Sequence, residues 1–196
     1  MSDRIHVTVV DAPGASPSDD VEALRRQPGV SLTTARHVRE TGEPNLLLLP
    51  DTTMVWGRWW DPWRTRVDAL PDTLVLGIGA GLAVLARPPT GAFPGWGLID
   101  ALVTVDSSRP PVQRRGRVMG ADVLAVESAV KTVAHGPDAA GWVHLEDRYG
   151  REEEGAVRTS DARLFGTGLV GLLANPAFLD VFLTEVGRRC GLTFVA

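Results

Sequence analysis

Val75 to Ala86 reads V-L-G-I-G-A-G-L-A-V-L-A. This is the strand, tight turn and helix start of a nucleophile elbow, in which a sharply bent backbone holds one side chain out for attack. Gly77 and Gly81 fit the pattern, because the strand and the helix that leaves it must approach closely. At the tip between them, where such a turn carries Ser or Cys, stands Gly79. It has no side chain and can attack nothing. The sequence offers a catalytic scaffold without its nucleophile.

Other residues able to do chemistry are scattered. His6 falls in an expected strand, His144 in a peripheral one, and His37 and His135 in or near loops; all four read as structural. Cys190 is the only cysteine, which excludes an internal disulfide and a Cys-based metal cage. It is expected to be an inert, partly buried thiol at the end of the last helix. Gly77-x-Gly79-x-Gly81 lacks the G-x-G-x-x-G spacing and the acid that should follow it, so neither cofactor nor metal is expected. Glu152-Glu153-Glu154 reads as a solvated loop. Trp56, Trp59, Trp60 and Trp63 follow the i, i+3, i+4, i+7 spacing of one helical face. That stripe reads either as core packing or as the aromatic wall of a ligand or partner site.

The elements that must position these residues can be read in outline. The chain has 196 residues with 44% hydrophobic and 22% charged, an ordinary balance for one globular domain spanning 1–196. A net charge of −4 argues against a nucleic-acid partner. No apolar run approaches a membrane span and no signal-peptide pattern opens the chain, so a cytoplasmic location is expected. Strands are expected at Ile5–Val10, Val30–Thr34, Asn45–Leu49 and Thr73–Leu76. Between them lie a helix capped by Ser18-Asp19-Asp20 and a partly helical stretch over Trp56–Leu70. This alternation implies βαβ units and a mostly parallel sheet, an α/β class. In the second half, Leu102–Val105, Arg117–Val123, Trp142–Glu146, Ala156–Thr159 and Leu164–Thr167 suggest antiparallel additions and one last strand. Pro176 then opens a helix that runs through Cys190 and ends at Gly191.

Six segments, in order, resemble the class I glutamine amidotransferase domain of the cobyric acid synthase type. Val21 to Val30 is similar to that family's first helix and second strand, and Leu48-Leu49-Pro50-Asp51-Thr52-Thr53 to its L-P-G-[ST]-K loop. Gly77-Ile78-Gly79-Ala80-Gly81 resembles its G-I-C-x-G elbow and Gly97-Leu98-Ile99-Asp100 its G-L-G-L-L-D turn. Gly120-Ala121-Asp122-Val123-Leu124 falls where the family has G-Y-E-I-H. Gly166 to Asn175 resembles G-T-Y-x-H-G-L-F-x-N. The resemblance implies a flavodoxin-like three-layer sandwich. It also implies glutamine hydrolysis by a Cys–His pair that supplies ammonia to a synthetase.

The departures from that pattern remove the chemistry. Through the resemblance, the Cys position is Gly79 and the His position Val170, so nucleophile and base are both absent. The oxyanion-loop Gly is Asp51, whose carboxylate would repel a developing oxyanion. The Gln after the elbow is Ala83, and in the G-Y-E-I-H segment only the acid persists, as Asp122. Losing both members of a catalytic pair should abolish glutaminase activity.

What remains supports two expectations. One is a degenerate amidotransferase-like protein acting through a synthetase-like partner in trans, as a binding or regulatory subunit; self-association is compatible with it. The other is a repurposed pocket, with Asp51 and Asp122 as an acid–base pair on a small molecule bound by Gly79, Ala80, Ala83, Val170, Trp56 and Trp60.

Overall fold

The computed structural model describes residues 4–15, 18–53, 58–87, 95–106, 108, 110–146 and 152–194. Its first half runs β1 (Ile5–Val10), α1 (Asp19–Arg26), β2 (Val30–Ala35), β3 (Leu46–Leu49), α2 (Asp61–Asp68), β4 (Leu74–Ile78) and α3 (Ala80–Leu85). The Ser18 hydroxyl caps α1 by accepting from the Val21 N–H at 3.3 Å. Pro62 sits in the first turn of α2, where a missing N–H costs nothing.

The second half runs β5 (Ala86–Arg87), β6 (Ile99–Val105), β7 (Val112–Val118), β8 (Ala121–Glu127), β9 (Val130–His135), β10 (Ala139–Glu146), β11 (Glu152–Thr159), β12 (Leu164–Thr167), β13 (Leu169–Val170) and α4 (Pro176–Arg189). Ten strands form one sheet in the order β13-β8-β7-β10-β11-β12-β4-β3-β1-β2. The strands β12, β4, β3, β1 and β2 pair in parallel, and those from β12 out to β13 in antiparallel. A second sheet, β5-β6-β9, packs over part of the antiparallel half.

Why the parallel half is buried on both faces is plain in β3. Leu46 and Leu48 enter one apolar cluster with Leu24 of α1 and Phe178 and Phe182 of α4. Leu47 and Leu49 enter the other, with Trp63 and Val67 of α2 and Leu82 of α3. Alternate side chains point to opposite faces, so a continuous leucine run requires helices on both. The result is a three-layer α/β sandwich.

Three expectations need correction. Arg117–Val123 is not one strand but the corner of a β7–β8 hairpin. Met119 and Gly120 turn it with φ of 49° and 84°, as a two-residue primed turn requires. The backbone of Glu152–Glu154 lies in β11, not in a loop. In the described part of the tryptophan stripe, core packing is what the structure shows. Trp60 and Trp63 are buried, Trp59 meets Trp60 edge-on at 4.8 Å, and Trp60 meets Trp96 at 6.4 Å. Trp60 is thus packed in the core, and Trp56 lies outside the described residues.

Candidate functional site

Parallel strands bring their carboxyl ends to one edge of the sheet, where open α/β folds place their sites. Here that edge gathers the loops after β1, β3, β4 and β12. The Thr52 hydroxyl donates to the Pro13 carbonyl at 2.6 Å, joining the first two loops. The Gly79 N–H donates to the Thr167 carbonyl at 2.8 Å, joining the last two.

The elbow is built as its glycines require. A Cβ on Gly77 would press into the backbone of Gly81 and come within 2.8 Å of Leu82 N, and one on Gly81 would strike the Leu49 backbone. Gly79 holds φ 54° and ψ −114°, a conformation costly for any residue with a side chain. A Cβ on Gly79 would overlap the Asp51 carboxylate and stand 2.9 Å from Asp51 Cβ. Asp51, half-buried, turns its Oδ1 onto the first N–H of α3 and accepts from Ala80 at 2.8 Å. The space beside Gly79 is therefore filled by an acid from the neighbouring loop.

The remaining candidate residues do not assemble around it. Ala80 and Ala83 are buried in the core on the α2–α3 side. Val170, half-buried on β13, packs on the opposite core cluster and pairs with Val126 of β8. Asp122 lies on β8 four residues from Val126, about 13 Å along a strand. Its side chain is 84% exposed and ion-paired to Arg117, with Nε–Oδ1 at 3.2 Å. It faces a groove of about 750 Å³ that Asp51 does not line. Asp51 and Asp122 thus form no acid–base pair.

The acid that Asp51 does approach is Asp20, which the sequence presented only as a helix-capping residue. Asp20 is fully buried in the first turn of α1. Its two oxygens accept from the Gly171 and Leu173 N–H groups, each at 2.7 Å, so α1 clamps the segment that follows Val170. Burial pushes its carboxyl up to about 6 against the lowering effect of those two bonds, and the charges of Asp19 and Asp51 add to the rise. A signal for it exists in the sequence. Asp20 stands four residues before Leu24, on the helix face that packs inward.

The other candidates stay peripheral. His6, His37, His135 and His144 are exposed. Cys190 is half-buried at the end of α4, and burial raises its thiol, as an unreactive cysteine requires. Among the described residues no group of three His, Cys, Asp or Glu side chains could hold a metal ion. None of their helices is long and apolar enough to cross a membrane.

Comparison with known proteins agrees with this architecture. No protein-family model matches the chain. It is 28% identical over 211 residues to a cobyric acid synthase of Frankia casuarinae, an alignment covering 97% of this chain and 38% of that protein. A cobyric acid synthase of Methylorubrum populi is 30% identical over 210 residues, covering 95% and 41%. The chain thus spans about two fifths of the length of these relatives. A glutamine amidotransferase crystal structure superposes with a TM-score of 0.73 at 18% identity, covering 92% of this chain and 97% of that one. The PurLQS structure from Thermotoga maritima superposes with a TM-score of 0.65 at 14% identity, covering 85% and 87%. The chain has a glutamine amidotransferase-like fold and is similar in sequence to a segment of cobyric acid synthases.

Proposed function

We propose that the protein is a catalytically inactive glutamine amidotransferase-like domain that works by binding a partner protein, with a synthetase-like enzyme as the class the likeness implies. The observation that carries this reading is the Asp51 carboxylate lying where a side chain on Gly79 would have to stand. A thioester-forming nucleophile needs that space, and a developing oxyanion needs donors there instead of a negative charge. The half-buried Val170 supplies no proton acceptor.

The repurposed acid–base reading depended on Asp51 and Asp122 sharing a cavity. With Asp122 exposed and paired to Arg117, nothing favours it. The test is ammonia release from glutamine by the purified chain, alone and with excess Gly79→Cys variant as a second sample. Inactivity of both is expected, since the cysteine would have neither room nor base. Turnover by the unmodified chain would end the proposal.

A further inference from the structure

The ten-stranded sheet has two ends, and they are finished differently. At one end β13 is two residues long, and Asn175 closes the edge of β8 beyond it. The Leu124 N–H donates to Asn175 Oδ1 at 2.8 Å, and Asn175 Nδ2 donates back to the Leu124 carbonyl at 3.0 Å. At the other end β2 offers six residues, V-S-L-T-T-A, paired to β1 in unbroken register. It carries none of the charge, proline or bulge by which edge strands avoid pairing. The Gly29 and Ala35 carbonyls accept from the Ile5 and Asp11 N–H groups, so odd-numbered residues bond towards β1. Leu32 and Thr34 therefore aim N–H and C=O away from the sheet, and no strand among the described residues pairs with them.

We propose that β2 is the interface of a two-fold dimer, in which a second copy of this chain continues the sheet antiparallel about an axis through Leu32. The proposal is independent of the synthetase-partner reading. Each Leu32 N–H donates to the Leu32 carbonyl of the other copy, and each Thr34 N–H to the opposite Val30 carbonyl. The Val30 N–H is already taken by the Gln27 carbonyl and asks for no partner. Directly opposed residues share a face of a sheet, which brings the two Leu32 side chains together. On that face the core is incomplete at the edge. Val21 and Ala23 of α1 and Leu32 of β2 are only partly buried against the cluster, and a second copy covers them.

The helix above the edge selects the same occupant. Leu24 of α1 packs with Ile5 and Val7 of β1 and Val30 of β2, so α1 lies over that strand pair. In the continued sheet the two copies of α1 run antiparallel, about two strand spacings or about 10 Å apart, a distance at which helices pack. Their charges are then complementary. Glu22 binds both Arg25 and Arg26, which leaves one positive charge over at the end of the helix. Exposed Asp19 makes no ion pair among the described residues and leaves a negative charge at its start. Antiparallel helices set each surplus beside its opposite. Arg36 and Arg39 lie beyond the ladder, where Glu40 accepts from the Arg36 and His37 N–H groups. A foreign strand would match the backbone alone, whereas the axis, the half-covered apolar groups and the helix charges match the chain's own copy.

Sedimentation equilibrium of the full chain tests this. The mass should rise reversibly with concentration from 21.0 kDa towards twice that value. Thr34→Pro removes an outward N–H at an exposed position and should weaken association roughly tenfold or more. Opposed residues of such a pair lie about 5.5 Å apart at Cα, within reach of a disulfide. In a Cys190→Ser background, Leu32→Cys should therefore cross-link between copies under mild oxidation. Ser31→Cys, offset from its counterpart and on the other face, should not. Circular dichroism checks that each variant folds, and the cross-link decides where the proline variant does not. A mass of 21.0 kDa at every concentration would overturn the proposal. So would association that a folded Thr34→Pro leaves unchanged, or a dimer that cross-links no better through position 32 than through position 31.

Discussion

Asp20 should make the stability of this protein fall as the pH rises from 4 to 8. Its carboxyl is raised from the usual 3.8 to about 6, with burial as the main cause. A group whose folded value lies above its unfolded value favours the folded state while protonated. That contribution is complete below about pH 3.8 and is gone once the pH passes about 6. The rise is worth roughly 3 kcal/mol, most of it between pH 4 and pH 8. Carboxylates with lowered values act in the opposite sense. Glu185, held at about 2 first by its hydrogen bond to Arg188, contributes above the usual carboxylate range and loses that contribution on acidification. The comparison must therefore be with Asp20→Asn, which removes one titration and leaves the rest. Asparagine keeps one acceptor and sets an amide donor against the second N–H, a fixed penalty of about 1–3 kcal/mol. On top of it, the gap between wild type and variant should be about 2–3 kcal/mol larger at pH 4 than at pH 8. Urea unfolding of both proteins across that range measures the gap directly. A gap that stays constant would mean that the Gly171 and Leu173 N–H groups fully offset the cost of burying the charge, and the reasoning would fail.

Other substitutions probe the elbow, the core and the hairpin. Gly79→Cys should destabilise by about 3 kcal/mol or more, from its backbone conformation and the clash with Asp51. Combining it with Asp51→Gly should recover more than 1 kcal/mol relative to the sum of the single changes, and additivity in this cycle would contradict the crowding. Asp51→Ala alone removes the acceptor for the Ala80 N–H and should cost about 1 kcal/mol by chemical denaturation. Trp60→Ala, which empties a core position, should cost roughly 3–5 kcal/mol, whereas a value under 1 would mean that the ring is not packed. Met119→Asn should raise the melting temperature, because asparagine tolerates the positive φ that methionine holds at strain.

The parallel half of the fold was legible because its strands are buried on both faces and so run as uninterrupted leucine, valine and isoleucine. The antiparallel half was not, for reasons visible in single residues. The hairpin turn is Met119-Gly120, where sequence reading looks for Asn-Gly, and the strained Met hid a corner inside one apparent strand. Val130–His135 carries Lys131 and Thr132 among its apolar residues and gave no clear alternation to mark β9. The Glu152–Glu154 run suggested a loop because acidic residues are poor strand formers, yet pairing with β10 holds that backbone extended.

At the site, the glycines spoke clearly and the acids did not. Gly77 and Gly81 could be assigned because close approach of backbone leaves only one residue type. Absence of a side chain at Gly79 was compatible with a repurposed pocket, but the structure fills that place, as space in a packed protein is seldom left empty. A loop acid one strand away filled it, making a helix-cap hydrogen bond that compensates its partial burial. Which acid would do so depends on how the loops after β1, β3 and β12 meet, information held in contacts of long sequence separation. The same applies to Asp20, bonded to residues some 150 positions away. Asp51 stoppers the elbow and Asp20 fastens the segment after Val170 to α1, so each acid takes its place from partners that only the folded chain brings near, and neither partner can be read from the residues beside it in sequence.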